Sequence, residues 1–317
     1  MLINQLVRDE KIGLLALQET HLTSECVDQL NELFGRHLRI YHSELTHHAT
    51  GAGGVALAVN KRLIDPEKCV VTDIQKGRAM AISFPWSTGR ELSVVNVYGP
   101  NSSAENAVFW RDVKTHCPAS VDILLGDFNV VEDGIDRIPV RAETGNALQA
   151  LQELLAELRL EDGWRMQNPH TKAFTYMQKS TGSQSRLDRI YVASALHQDA
   201  DEWRIKESGL PTDHKLTLVS LANRSALFMG KGRWSMPAHL LTDTTMIAKM
   251  RELGRKLVEE IAGCGERTAE KNPQIFYQDF KLALTKAARD RAKAKVPKLQ
   301  KRLENLRNDL ERTLNEP

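Results

Sequence analysis

Short apolar runs separated by turn-forming residues recur along the first two thirds of the chain. Residues 12–17, 54–59, 91–98 and 121–126 are mostly apolar and end on polar or glycine-containing boundaries, the pattern of strands buried in a core. Two more strands, near 69–74 and 78–84, flank Gln75-Lys76-Gly77, whose length suits a hairpin. Residues 174–176 and 186–192 read as strands around a protruding polar loop, and 215–221 as a last alternating strand. Helices are expected near 24–34, capped by Thr23 or Ser24 and stopped by Gly35, and near 103–116. A third is expected over 146–160, where leucines at 148, 151, 154, 155 and 158 form a helical stripe. Many strands at hairpin-compatible spacing with few helices predict an α+β fold, two packed sheets in a sandwich flanked by helices.

The texture changes after about residue 222, where helix formers replace β-branched runs. Gly230-Lys231-Gly232 reads as a linker, and helices are expected near 245–263 and 275–294, with Pro297 in the first turn of a final one. Leucines at 299, 303, 306, 310 and 314 are spaced 4, 3, 4, 4. That is about two heptads, short of the three or four that identify a coiled coil. Packing against the other tail helices is therefore the expectation. The division expected is 1–222 as one domain and 223–317 as a helical, basic, linker-like tail.

Charge sharpens this division. The net +2 over 317 residues hides 23 Lys and Arg against 29 Asp and Glu in residues 1–222, and 20 against 12 in 223–317. The window 281–302 holds nine basic residues and one acid, Asp290. A basic appendage beside an acidic body suits a polyanion partner and an acidic site, although a solvated helix face carries the same composition. A hydrophobic share of 41% supports a real core, and no run approaches the ~20 apolar residues of a membrane span. Met1 to Glu10 shows no signal peptide. Cys26, Cys69, Cys117 and Cys264 are scattered, which argues against a zinc site or a disulfide framework and for an intracellular protein.

Polar groups able to do chemistry stand at the ends of five predicted strands: Glu19, Tyr98, Asp127 with Asn129, Asp188, and Asp213 with His214. Each has a plain alternative. Glu19 could cap a helix, Asp127 and Asn129 could form a turn, and Asp188 could pair with Arg186 or Arg189. Together they match the needs of metal-assisted phosphodiester hydrolysis. Carboxylates suit a hard divalent cation, a histidine oriented by a carboxylate can act as a base, and amide and phenol donors stabilise phosphoryl charge.

Five motifs carry a resemblance. Leu17-Gln18-Glu19-Thr20-His21, Asn96-Val97-Tyr98-Gly99-Pro100-Asn101, Gly126-Asp127-Phe128-Asn129, Arg186-Leu187-Asp188-Arg189-Ile190 and Thr212-Asp213-His214 occur in that order. The chain resembles, over roughly 1–222, the endonuclease/exonuclease/phosphatase superfamily, which includes DNase I and apurinic/apyrimidinic endonucleases. Within it the likeness is nearest to the endonuclease of LINE-type (non-LTR) retrotransposons. The resemblance implies a four-layered, DNase I-like fold and Mg²⁺, or Mn²⁺ in its place, as cofactor. It implies Glu19 as a metal ligand with Asp213 as a second acid there, and His214 as the catalytic histidine oriented by Asp188. Asp127 would act on the attacking water or the leaving group, and Asn129 and Tyr98 on the phosphate. Thr175, Lys179, Ser180 and Arg186 would lie against DNA. It further implies a nuclear enzyme that nicks double-stranded DNA to leave a 3′-hydroxyl, without membrane or small-molecule cofactor. The tail could add nucleic-acid or helix contacts.

The family's opening strand, ending in an asparagine, has no counterpart before the helical stretch at 1–11, and no reverse-transcriptase motif follows. An N-terminally truncated domain of reduced stability and weakened metal binding is the corresponding expectation. The alternatives are a catalytically impaired remnant that only binds nucleic acid, or a phosphatase or phosphodiesterase of the same fold acting on lipid or inositol phosphates. If residues 281–302 contact phosphates, deleting 223–317 flattens the slope of log affinity for DNA against log salt. An unchanged slope assigns those cations to a solvated helix face.

Overall fold

Alternation of side chains along each strand divides the apolar residues between layers, and this division organises the fold. The computed structural model describes residues 2–44, 53–87, 89–141, 145–224 and 234–315. The predicted linker at 230–232 and most of the polar loop at 47–54 lie outside them. The chain divides into two compact units, Met1–Ala226 and Leu227–Pro317.

The first unit begins with helix α1 (Leu2–Asp9), strand β1 (Leu14–Gln18), helix α2 (Ser24–Phe34), and strands β2 (Leu38–Ser43) and β3 (Val55–Asn60). Strands β4 (Val70–Gln75), β5 (Ala79–Ser87) and β6 (Arg90–Tyr98) follow, then helix α3 (Ser103–His116) and strand β7 (Ile123–Asp127). Next come β8 (Arg137–Ile138), α4 (Asn146–Leu158), β9 (Leu160–Asp162) and α5 (Gly163–Gln167). The short strands β10 (Tyr176–Met177) and β11 (Gln184–Ser185) precede β12 (Asp188–Ala193), β13 (Ala200–Lys206) and β14 (Leu216–Leu221).

A six-stranded sheet runs β4-β5-β6-β7-β12-β9, and a three-stranded sheet runs β1-β3-β2. Strands β13 and β14 pair with each other, and β10-β11-β8 form a small third sheet. Val55, Leu57 and Val59 of β3 meet Met80, Ile82, Val94, Ile123 and Val192 of the large sheet in one buried cluster. The intervening Ala56 and Ala58 face the other way, toward Leu6 and Val7 of α1 and Val27 of α2. On the far side of the large sheet, Ala81, Val95, Val97 and Leu124 pack on Trp110, Leu151 and Leu154 of α3 and α4. The result is helices, sheet, sheet, helices, the four layers the resemblance implies. Each fully buried aliphatic side chain contributes about 1.5–3 kcal/mol to holding them.

Two pairings position everything that follows. Strands β6 and β7 are parallel, joined through α3, and bring Tyr98 beside Asp127. Strands β7 and β12 are antiparallel and set Asp127 directly opposite Asp188. Gly126 makes the first pairing possible, with φ at +138° and a position where an added Cβ would lie 2.0 Å from the Val97 carbonyl oxygen.

Several elements differ from the sequence reading. Strands β2 and β13 were not anticipated: β13 (ADEWRIK) is charge-rich, and its pattern is set by pairing with β14 alone. The strand expected from Phe174 begins at Tyr176, and that expected from Arg186 begins at Asp188, because Phe174, Thr175 and Arg186 are fixed by buried side-chain contacts instead. In the second unit, helix α6 (Thr244–Ala262) is followed by one continuous helix α7 (Pro273–Asn315) with Pro297 inside it. Helix formers on both sides carry the backbone through the proline at the expense of one hydrogen bond. The leucines expected to pack on the other tail helices are exposed: Leu299, Leu303, Leu306 and Leu310 keep about half their surface.

Gly126→Ala is expected to destabilise the fold by about 3 kcal/mol or more, since no flexible neighbour can yield to the new methyl. Equilibrium urea unfolding measures it, and a change within about 0.5 kcal/mol would contradict so close an approach.

Candidate active site

The strand ends that carry the predicted groups converge on one end of the first unit. Asp127 is the last residue of β7, is buried, and is held from both sides by its neighbour two positions on. The Asn129 backbone N–H donates to Asp127 Oδ1 at 3.0 Å, while Asn129 Nδ2 donates to Gly99 O at 2.9 Å and Asp127 Oδ2 at 3.3 Å. Asn129 adopts φ +50° and Glu19 φ +52°, left-handed backbone that asparagine tolerates and glutamate rarely adopts. The Asp/Asn turn is therefore formed, and it presents the same two side chains that the site reading invokes.

Across the strand pair, Asp188 Oδ2 lies 2.8 Å from His214 Nδ1. Neither nearby arginine competes for it. Arg186 binds Asp136 and Asp162, and Arg189 donates to Val130 O and faces Glu132. One ligand-capable atom from each of Asp127, Asp188 and His214 falls within 4.8 Å of the others. On the other flank, the Tyr98 hydroxyl donates to Glu19 Oε1, and Arg78 lies over the Tyr98 ring at 4.7 Å from its centroid. Asp213 is exposed and stands outside the three-group cluster.

These groups shift one another's proton affinities. Burial, then the Asp188 charge opposite, raise the Asp127 carboxyl to about 7, against the lowering effects of His214 and the Asn129 N–H. Burial alone would lower the His214 imidazole. The hydrogen bond and charge of Asp188, with Asp127 and Asp213 nearby, outweigh it and raise the group to about 9. Burial and the Glu19 carboxylate push the Tyr98 phenol well up, so it remains a donor. At neutral pH the cluster thus holds a charged imidazole beside a carboxyl poised to gain or lose its proton.

The side chains expected against DNA divide into two pairs. Lys179 and Ser180 are exposed in the loop between β10 and β11. Thr175 and Arg186 are buried, at 0% and 2% exposure, which corrects their assignment to the DNA face. Thr175 Oγ1 accepts from the backbone N–H groups of Leu187 and Asp188, and Thr175 O accepts from Lys215 N at 2.7 Å. It ties the start of β12 to the residue following His214. Arg186 donates through Nε and Nη2 to both oxygens of Asp136 and through Nη1 to Asp162. Arg165 also donates to Asp136, so the base of the projecting loop is anchored by a buried ion network. Both residues position the site from beneath it.

Sequence reasoning assigned no role to three contributors. Asn96, fully buried, accepts from Gln18 Nε2 at 2.7 Å and donates to Leu17 O and Ala56 O, locking the end of β1 that presents Glu19. An amide within the apolar run of β6 was the available signal. Gln18 is the second. Arg78 is the third, the first residue of a predicted strand with nothing in its pattern to mark it.

A family model described as the Endonuclease/Exonuclease/phosphatase family matches residues 2–214. The Transposon TX1 uncharacterized 149 kDa protein of Xenopus laevis is 34% identical over 249 residues. That alignment takes in 75% of this chain and 18% of the relative, so the chain spans only a small part of the curated protein it matches. Among solved structures, the AP endonuclease LMAP from Leishmania major aligns with a TM-score of 0.58 at 16% identity, over 70% of this chain and 82% of that one. The 3′ phosphatase NExo from Neisseria, bound to a product DNA hairpin, aligns with a TM-score of 0.55 at 20% identity, over 69% and 93%. At these identities the structural likeness is one of fold. Among the described residues, no helix is long and apolar enough to cross a membrane.

Asp188→Asn is expected to lower the His214 pKa from about 9 toward the ordinary histidine range, because its hydrogen-bonded anion is lost. An NMR pH titration of the imidazole reads this directly. An unmoved titration would show that Asp188 does not hold the imidazolium.

Proposed function

The chain belongs to the endonuclease/exonuclease/phosphatase family, and on that footing we propose that its first unit is a divalent-metal-dependent endonuclease. It hydrolyses one phosphodiester bond of double-stranded DNA and leaves a 3′-hydroxyl. The observation carrying this reading is the register that sets Asp127 opposite Asp188 and beside Tyr98, with His214 hydrogen-bonded to Asp188.

The donors suit a hard cation, since Glu19 and Asp213 offer carboxylate oxygens. These two, rather than the Asp127–Asp188–His214 cluster, are assigned to Mg²⁺ or Mn²⁺. The His214 Nδ1 is engaged by Asp188, and an imidazolium has no lone pair to give a metal. When bound, the ion supplies charge neutralisation at the phosphoryl oxygen and at the departing oxygen.

The chain's own groups do the rest. Asp127, ionised, takes a proton from the attacking water as the new P–O bond forms. The P–O3′ bond breaks, the phosphate stays on the 5′ end, and the released 3′-oxygen takes up a proton. His214, charged and steadied by Asp188, donates a hydrogen bond to a phosphoryl oxygen, where negative charge grows. Asn129 and Tyr98 bound the same space with neutral donors, and Arg78 adds a cation at its edge. Lys179 and Ser180, on the exposed loop, contact the duplex beside the cleavage point. The relative from Xenopus is named as a transposon protein, which supports a transposon origin; a nuclear site of action is part of the same proposal.

Metal-dependent nicking of supercoiled plasmid is the expected outcome, abolished by chelation. Asp127→Asn and His214→Ala are each expected to reduce it by about 10²–10⁴-fold. The rate should rise with pH as Asp127 loses its proton and fall as His214 loses its own. Faster turnover on inositol phosphate or phospholipid than on plasmid would favour the phosphatase reading. Nicking no greater than that of His214→Ala would leave a folded but inactive remnant.

A further inference from the structure

In the second unit, α7 continues well past the apolar core it helps to form. The core there is Leu240, Met246 and Ala288, with Met250, Leu284 and Ala292 against it. The final anchor is Asp243, the N-cap of α6. It accepts from Arg291 Nε at 3.0 Å, Arg291 Nη2 at 2.9 Å and Lys295 Nζ at 2.8 Å. From residue 296 to Asn315 the helix runs on for about 30 Å beyond that anchor. On one side it carries Leu299, Leu303, Leu306 and Leu310, exposed at 47, 48, 59 and 50%. A lone helix of this length is marginal in water, and Pro297 withholds one of its hydrogen bonds. Four half-exposed leucines on one face add a further reason for it to be covered.

We propose that this segment pairs with the same segment of a second copy of the chain, antiparallel, as a short two-stranded coiled coil. The spacing places Val296, Leu303 and Leu310 at one set of seam positions and Leu299 and Leu306 at the other. The residues flanking that seam decide between orientations. In a parallel pair, Arg302 of one copy would face Arg307 of the other, on both sides of the seam. In an antiparallel pair with Leu303 against Leu306, Arg302 faces Asp309 of the other copy, twice by symmetry. Arg307 then faces the neutral Gln300. The link from Arg312 to Asp309 within one helix is 3.4 Å long and exposed at both ends, so it competes weakly. The basic window ends at Arg302, and the seam beyond it is flanked by Glu304, Asp309 and Glu311 as well as Arg307 and Arg312. That mixture favours a second helix over a polyanion on this face.

Sedimentation equilibrium of the full chain tests the proposal. The expected mass rises with concentration from 35.7 kDa toward twice that value. Leu303→Lys combined with Leu306→Lys should hold the chain at monomer mass. Arg302→Asp alone and Asp309→Arg alone should each weaken association about tenfold, as two attractive pairs become repulsive, and the double exchange should restore it. Because all these positions are exposed, circular dichroism can confirm that the variants stay folded. A monomer up to the order of 0.1 mM, or a dimer indifferent to the leucine variant, would overturn the proposal. Tighter association of Arg302→Asp would overturn the antiparallel pairing, since only a parallel seam turns that change into an attraction with Arg307.

Discussion

Two carboxylates set face to face in neighbouring strands are the constraint around which the first unit is arranged. Asp127 and Asp188 are opposed by the antiparallel register itself, so their repulsion cannot be relieved by a rotamer change alone. It is relieved by sharing out charge. One carboxyl is pushed toward neutrality, the other is bound to an imidazolium, and an amide holds the first in place. This coupling makes the end of the sheet responsive to protons near neutral pH, which isolated aspartates are not.

Keeping that arrangement requires support from buried polar groups. The Arg186–Asp136–Asp162 network has almost no exposure, and removing one member of such a set usually costs more than the set contributes, because a charge is left buried and unpaired. Asn96 does the equivalent with neutral groups at the end of β1. Both sit one layer below the residues they orient. Rigidity at the surface of the site therefore comes from polar satisfaction beneath it, within an otherwise apolar sandwich.

The layers and the strand ends that carry polar groups were legible in the sequence because they depend on side-chain type and period. Val55, Leu57 and Val59 alternate with Ala56 and Ala58 in plain view, and Glu19, Asp127, Asp188 and His214 stand where apolar runs stop. Burial of a polar side chain has no such signature. Thr175 and Arg186 are hydrophilic residues beside an exposed loop, and only the three-dimensional arrangement shows their hydrogen bonds turned inward. The left-handed backbone at Glu19 was equally hidden, since glutamate rarely adopts it. The leucines of α7 were expected to pack on the other tail helices and are exposed instead, because spacing alone does not say how far a neighbouring helix extends.

The hydroxyl and carbonyl oxygens of Thr175 join the strand that carries Asp188 to the segment that carries His214. The spacing of the Asp188–His214 pair is thus set at the root of the projecting loop, while the loop's tip, with Lys179 and Ser180, takes no part in it. If the proposed roles hold, chemistry and recognition are in this way separable within a dozen residues. On the proposed function, drift in the tip would change what the surface meets without altering how the bond is cut, a division of labour that would let a lineage move to new targets while inheriting one reaction.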